Sequence, residues 1–314
     1  MNTAAGGGGD GREHALRLSR SEVNRERVVA VVLGLAASLT ILTTAAVVIV
    51  LARETFGFFL DPLVSVWEFL TGDRWTPLFA DKHFGILPLV TGTLLVTVIA
   101  VLVGVPMGLA SAIYLAEYAP PGRRRKLKGI LELLAGIPTV VLGFFALAYV
   151  TPWLQGFIPG VRFFNALSAG LVMGFMILPT VSSLASDALQ AVPQSLREAG
   201  YGLGGTKLDV IVRVLLPASF SGLAAAVILA FSRAVGETMI VSLAAGQRPT
   251  LTFDPRETIA TMTSFIVQAA TGDQPVGSLA ARSLYAVGAV LFAMTLVMNL
   301  TSQALVRRFR ERYE

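Results

Sequence analysis

Long stretches without a single Asp, Glu, Lys or Arg alternate along this chain with short polar connectors. Five of them run Val28–Ala52, His83–Ala116, Leu133–Val161, Phe163–Ser186 and Ser283–Val306. Roughly 20 apolar residues let a helix cross a hydrocarbon core about 30 Å thick, so each stretch predicts a membrane span. A sixth, Val214 to Gln247, qualifies if two charges, Arg233 and Glu237, are admitted inside it. The expected fold is therefore an all-α integral membrane protein with six transmembrane helices. It divides into a tail over 1–27, a first span over 28–52, an outside segment over 53–84, a core over 85–306 holding the other five spans, and a closing tail over 307–314.

Composition agrees: 54% of the 314 residues are hydrophobic and 14% charged, against about 25% charged in soluble domains. A water-facing globule, a disordered regulator and a disulfide-bonded secreted scaffold are excluded on that ground. The first apolar run, at 25 residues, exceeds the roughly 7 to 15 of a signal h-region and reads as an uncleaved anchor. Upstream, Met1 to about Arg20 opens with a glycine run, lacks apolar periodicity and reads as a disordered tail. With no cysteine there is neither a disulfide framework nor thiolate chemistry.

The net charge of +5 raises the question of a nucleic-acid partner. If the amino terminus is cytoplasmic, 17 Lys and Arg residues fall on inside segments and seven on outside ones. The basic excess is thus a topology signal that puts both termini in the cytoplasm, and no nucleic acid is expected.

Two outside segments carry helix punctuation. In the first, Asp61-Pro62 precedes Leu63 to Leu70 and Gly72 follows, which predicts a short helix whose apolar side and tryptophans suit the membrane interface. It reads as an interfacial anchor or, alternatively, as a docking surface for an external partner. In the second, over 248–282, Asp254-Pro255 precedes a short helix from Thr258 to Ala270 that dips partway into the membrane. Within the spans, Gly104/Gly108 and Gly170/Gly174, with Pro106, Pro138 and Pro179, allow close helix packing or act as hinges.

The inside loop over 187–217 is the most informative stretch. Ser195 with Glu198 and Thr206 with Asp209 have capping-box spacing, so it predicts two short helices hinged at Gly202–Gly205. Gly200, Gly202 and Gly205 satisfy G-x-G-x-x-G, but no strand precedes them and no dinucleotide site follows. Nor is there a G-x-x-x-x-G-K-[ST] run for ATP. The loop resembles the EAA motif of ABC-importer permeases, E-A-A-x3-G-x9-I-x-L-P: Glu198-Ala199-Gly200, three residues, Gly204, nine residues, then Val214-Leu215-Leu216-Pro217. Gly200 stands for the third Ala and Val214 for the Ile.

The resemblance extends from about Trp75 to Asn299 and is to permeases of the phosphate-specific importer. It is carried by Phe84-Gly85-Ile86-Leu87-Pro88, Tyr114-Leu115-Ala116-Glu117-Tyr118-Ala119-Pro120, Ala135-Gly136-Ile137-Pro138-Thr139, Met176-Ile177-Leu178-Pro179-Thr180 and Arg233-Ala234-Val235-Gly236-Glu237-Thr238-Met239. Gly-Glu-Thr-Met and the long first outside segment resemble the C-type of the two permease subunits. The resemblance implies a type I, MetI-like importer fold and a non-catalytic subunit with no cofactor or metal of its own. Its implied partners are a homologous A-type permease, a dimeric ATPase that binds ATP and Mg, an extracytoplasmic phosphate-binding protein and membrane lipid. Glu198, Ala199, Gly200, Gly204, Leu216 and Pro217 would then dock and couple to the ATPase.

Arg233 and Glu237 call for explanation on physical grounds alone. A charge at mid-bilayer costs at least about 2.5 to 3.5 kcal/mol, so both are expected to face protein or a water-filled path. Four residues apart, they are expected to share one helix face. A guanidinium fork matches phosphate oxygens, and Glu237 would hold it in place and partly neutralise it. With Ser232 and Thr238 beside them they form the candidate substrate path; a structural ion pair is the other reading. Two functional alternatives remain, a permease for another oxyanion such as sulfate and an autonomous proton-coupled carrier. A membrane-embedded enzyme is disfavoured, since the two histidines, His14 and His83, sit beside no nucleophile or ligand set.

Overall fold

The computed structural model describes residues 20–275 and 277–308. The expected disordered stretch Met1–Ser19 and the last six residues of the closing tail lie outside them. Two units are distinguished, Met1–Arg53 and Glu54–Glu314.

The first unit holds most of helix α1 (Arg20–Phe59), which begins eight residues ahead of the first expected span. Its side chains from Val28 to Val50 are exposed, as suits a helix surrounded by lipid. Its hydroxyls between Ser38 and Thr44 are satisfied within the helix: Ser38 and Thr44, for example, donate to the carbonyls of Gly34 and Thr40, both at 2.8 Å. Such back-bonding removes the cost of a polar group in hydrocarbon.

In the second unit three long helices match charge-free runs of the sequence: α3 (Leu87–Tyr118), α6 (Ala166–Gln190) and α12 (Leu279–Arg308). Preceding them is the short helix α2 (Val66–Thr71). Between α3 and α6 lie α4 (Pro121–Ala135), which has no buried residue, and α5 (Thr139–Phe157). Pro138 is therefore not inside a span as expected; it caps α5, where its missing N–H is harmless. The next elements are α7 (Gln194–Gly202), α8 (Lys207–Ala218), α9 (Phe220–Val235), α10 (Met239–Ala244) and α11 (Met262–Thr271).

The expected fifth span, Val214 to Gln247, is not one helix. α8 and α9 meet at a 72° bend, and α9 stops at Val235. At the bend Pro217 lacks an N–H, and Ser219 Oγ donates to the carbonyl of Leu215 at 2.6 Å, competing with continued helix. Five helices are long and apolar enough to span among the described residues, and the bent pair makes up to six.

The core forms where α3 crosses α6, the largest helix contact in the unit. A Cβ on Gly104 would lie 2.5 Å from the Gly174 carbonyl oxygen, and one on Gly170 would lie 2.6 Å from Ile99. The glycine pairs seen in the sequence thus allow backbone-to-backbone approach that no other residue permits here.

The end of the unit that holds α2 and α11 is organised by aromatics. Phe58, Phe59, Phe69, Trp75, Phe84 and Phe265 stack edge to face with centroids 5.0 to 6.4 Å apart. Trp75 is buried there rather than at an interface as expected, whereas Trp67 is exposed. The starts of α2 and α11 also shift from those expected. Ser65 rather than Asp61 caps α2, because Asp61 Oδ1 instead accepts from Leu63 N–H at 3.0 Å in a turn. Thr261, in a capping box with Ser264, starts α11, while Asp254 closes a turn onto Arg256. The segment before α11 is packed into the protein: Ile259 to Met262 are buried, Met262 N–H donates to Thr93 Oγ1 at 3.0 Å, and Gly92 makes room for the Ala260 carbonyl.

Candidate translocation face and coupling loop

Arg233 lies in the last turn of α9 and is exposed on the surface of the unit. Its Nη1 donates to Thr180 Oγ1 on α6 at 3.2 Å. Beside it, Ser232 Oγ donates to Asn299 Oδ1 on α12 at 2.9 Å, a partner with no signal in the sequence. Thr180 also borders a cavity of about 290 Å³ lined by Lys128, Glu132, Ser183 and Asp187. Polar side chains therefore continue from Arg233 towards the middle of α4 and the C-terminal end of α6, where Lys128 and Asp187 approach to 3.9 Å.

The expected shared helix face of Arg233 and Glu237 does not form. Gly236 terminates α9, and Glu237 lies in the break before α10. Its Oε1 accepts the backbone N–H groups of Met239 at 3.0 Å and Ile240 at 3.3 Å, satisfying donors that the start of α10 leaves open. Its own carbonyl accepts from Thr263 Oγ1 at 2.8 Å. Thr238 caps nothing with its side chain, but its carbonyl receives Ser242 Oγ at 2.6 Å. Glu237 thus holds the break, and no salt bridge joins it to Arg233 among the described residues. The guanidinium keeps its charge for whatever faces it.

The loop over 187–217 folds as expected in outline, as two short helices joined at the glycines. Helices α7 and α8 meet at Gly204, whose φ of +82° is disfavoured for a residue with a Cβ. A Cβ on Gly200 would lie 3.1 Å from Val210 Cγ2, and one on Gly205 2.9 Å from the Gly200 carbonyl, so the two helices touch through glycine. The Thr206–Asp209 capping box forms, with Thr206 N–H donating to Asp209 Oδ2 at 3.2 Å. The Thr206 hydroxyl, then its N–H, hold the Asp209 carboxyl below the usual carboxylate range. The expected Ser195–Glu198 box does not form, because Pro193 already occupies the cap position. Replacing Thr206 by Ala is expected to cost about 1 kcal/mol of local stability. Faster amide exchange at Asp209 and Val210, with no change elsewhere, is the corresponding measurement.

Glu198 and Ala199 are exposed on α7 or nearly so, Leu216 is half-buried and Pro217 exposed just before the bend. Leu203 is 90% and Leu208 63% exposed. Both leucines therefore present apolar side chains to the surface at or just after the turn between α7 and α8. In the segment before α11, Arg256 pairs bidentately with Asp254 and pulls that carboxyl down to about 2, so the pair persists at any pH well above that value. No cluster of three or more His, Asp or Glu suited to a metal occurs among the described residues.

A helix-turn-helix projecting from a bundle with a broken fifth span defines an importer permease of the MetI-like class. The family described as binding-protein-dependent transport system inner membrane component matches residues 104–314, and the chain belongs to it. It is a multi-pass inner-membrane protein and a non-catalytic permease subunit of an ABC importer. Among curated relatives, the probable ABC transporter permease protein YqgH of Bacillus subtilis is 36% identical over 87% of this chain and 88% of its own. The phosphate transport system permease protein PstC of Mesorhizobium japonicum is 34% identical over 83% and 82%. Among solved structures, a chain of a bacterial ABC transporter involved in import of the acidic polysaccharide alginate superposes with a TM-score of 0.65 at 16% identity, over 93% of this chain and 99% of that one. At that identity the likeness is one of fold.

Proposed function

We propose that this chain is the C-type permease subunit of a phosphate importer, with Arg233 contacting the anion in transit and the α7–α8 loop seated on an ATPase. The observation that carries this reading is Arg233: a permanently charged, bidentate donor stands on an open helix face, uncancelled by Glu237. A face of that kind fits a water-filled path shared with a second permease of the A type. The names of the PstC relatives support phosphate as the anion. An extracytoplasmic binding protein would deliver phosphate from outside, and both termini would lie in the cytoplasm, as would residues 187–217. ATP and Mg would act on the partner ATPase dimer, whose closure would rock the spans. The assignments of 53–84 and 248–282 as extracytoplasmic belong to the same proposal.

The test is uptake of labelled phosphate into proteoliposomes containing both permeases and the ATPase, with the binding protein and ATP supplied on their proper sides. Uptake that requires every component and resists competition by sulfate supports the reading. Uptake without the ATPase would instead identify a secondary carrier, and sulfate-preferring uptake another oxyanion permease.

A further inference from the structure

A loop that is moved by a partner must be joined to the spans it moves, and two buried charges stand at that junction. Arg197, on α7, donates through Nη1 to Glu117 Oε1 and through Nη2 to the Leu189 carbonyl at 2.6 Å. The two side chains are 14% and 7% exposed and lie 80 positions apart in the chain. Glu117 sits in the π-helical turn Tyr114–Tyr118 that ends α3, and Leu189 is at the inner end of α6. The same turn is gripped twice more. Arg124 Nη2 donates to the Ala116 carbonyl at 2.7 Å, and the Lys207 ammonium stands 4.5 Å from the Tyr118 ring centroid.

An ion pair removed from water gains little stability over apolar side chains of the same volume. The loop already has an apolar seat, in which Val192, Val210, Ile211 and Leu215 pack with Ala112 and Leu189. Apolar surfaces slide over one another with small changes in energy, because dispersion and burial are not directional. A charge-assisted bond from a planar guanidinium has one favoured geometry and resists displacement. Adding it to an existing apolar seat fixes the register between α7 and the end of α3.

We propose that Arg197 and Glu117 are a positioning pair that transmits displacement of the α7–α8 loop to span α3, touching neither the transported anion nor the ATPase. The proposal rests on the importer function given above. From α3 the contacts continue through the glycine crossing into α6, and α6 carries Thr180, the partner of Arg233. A contiguous packed path therefore leads from the loop to the proposed anion site.

The readout is phosphate accumulated per ATP hydrolysed, in proteoliposomes holding the whole complex. Glu117→Gln is expected to lower this ratio about tenfold, with the ATPase still co-purifying. A ratio within about twofold of wild type in that assembled variant overturns the proposal. A second variant covers the case in which Glu117→Gln does not assemble. Since the chain has no cysteine, Glu117→Cys with Arg197→Cys supplies its only thiols. Bridging them with a short bifunctional thiol reagent is expected to raise uptake per ATP, because a tether replaces the joint without replacing the charges. A ratio that does not rise on bridging overturns the proposal as well. Absence of phosphate uptake by the wild-type complex counts against the proposed function. Normal wild-type uptake with an unaltered Glu117→Gln ratio counts against the joint alone.

Discussion

Replacing Arg233 by Gln is expected to abolish most phosphate uptake while leaving the assembled complex intact. Loss of one charged donor that makes two bonds to an anion removes about 2 to 4 kcal/mol, or at least about thirtyfold in rate. The structure predicts little cost to the fold, because Arg233 is on the surface and its hydrogen bond to Thr180 is exposed to solvent. Arg233→Lys retains the charge without the fork and is expected to be intermediate, about tenfold down. The measurement is the initial uptake rate normalised to complex recovered on the ATPase. Uptake by Arg233→Gln at the wild-type rate would remove Arg233 from the path. Glu237→Gln is a contrasting case. Its carboxylate receives two backbone donors that a side-chain amide oxygen can also accept, so a modest effect fits a residue that holds the helix break.

The second large effect is on the fold. A methyl on Gly104 would lie 2.5 Å from both the Gly174 carbonyl oxygen and Ile177 Cγ1, well inside contact distance, and the obstacle includes backbone. Gly104→Ala is therefore expected to separate α3 from α6 and to cost about 2 to 3 kcal/mol, within the usual range for overpacking. Gly129→Ala, in α4, meets nothing within 4 Å and serves as control. It is expected to be neutral or to stabilise by up to about 1 kcal/mol, since glycine is a poor helix former. Thermal unfolding midpoints in detergent, read for both variants, decide the matter. A Gly104→Ala protein as stable as wild type would mean that the helices are not in backbone contact.

Much of the bundle was legible because hydrocarbon imposes a one-dimensional rule: a span needs an unbroken apolar run, and His83–Ala116, Phe163–Ser186 and Ser283–Val306 obey it. The glycine crossing was legible for the same reason, since small residues spaced four apart mark a single helix face. Where expectation and structure part, two local signals competed and the tertiary structure chose between them. Asp61 and Ser65 can each cap a helix; Ser65 does, because Asp61 closes its own turn onto Leu63. Ser195 and Glu198 have capping-box spacing, yet Pro193 starts the helix too early for it. The fifth span passed the hydropathy rule over Val214–Gln247 but is broken at Ser219 and Gly236, and in a long apolar run neither residue is decisive by itself. That break undid the expected Arg233–Glu237 face, because the i, i+4 rule holds only inside a helix. Arg233 itself was legible as a charge where none is cheap. Its partner Thr180 was not, nor was Asn299 opposite Ser232 or Glu117 opposite Arg197, because contacts across 53 to 80 positions leave no trace in local pattern.

The aromatic cluster around Trp75 has a spectroscopic consequence. Of three tryptophans, Trp67 and Trp153 are 77% and 62% exposed, whereas Trp75 is 1% exposed with Phe69, Phe84 and Phe265 around it. Exchanging Trp67 and Trp153 for Phe leaves one indole, enclosed by rings from α2, α11 and the segment just ahead of α3. Its emission wavelength and quenching by added solutes then report whether this aromatic lattice stays shut or loosens as ATP is turned over, and the protein supplies the dye.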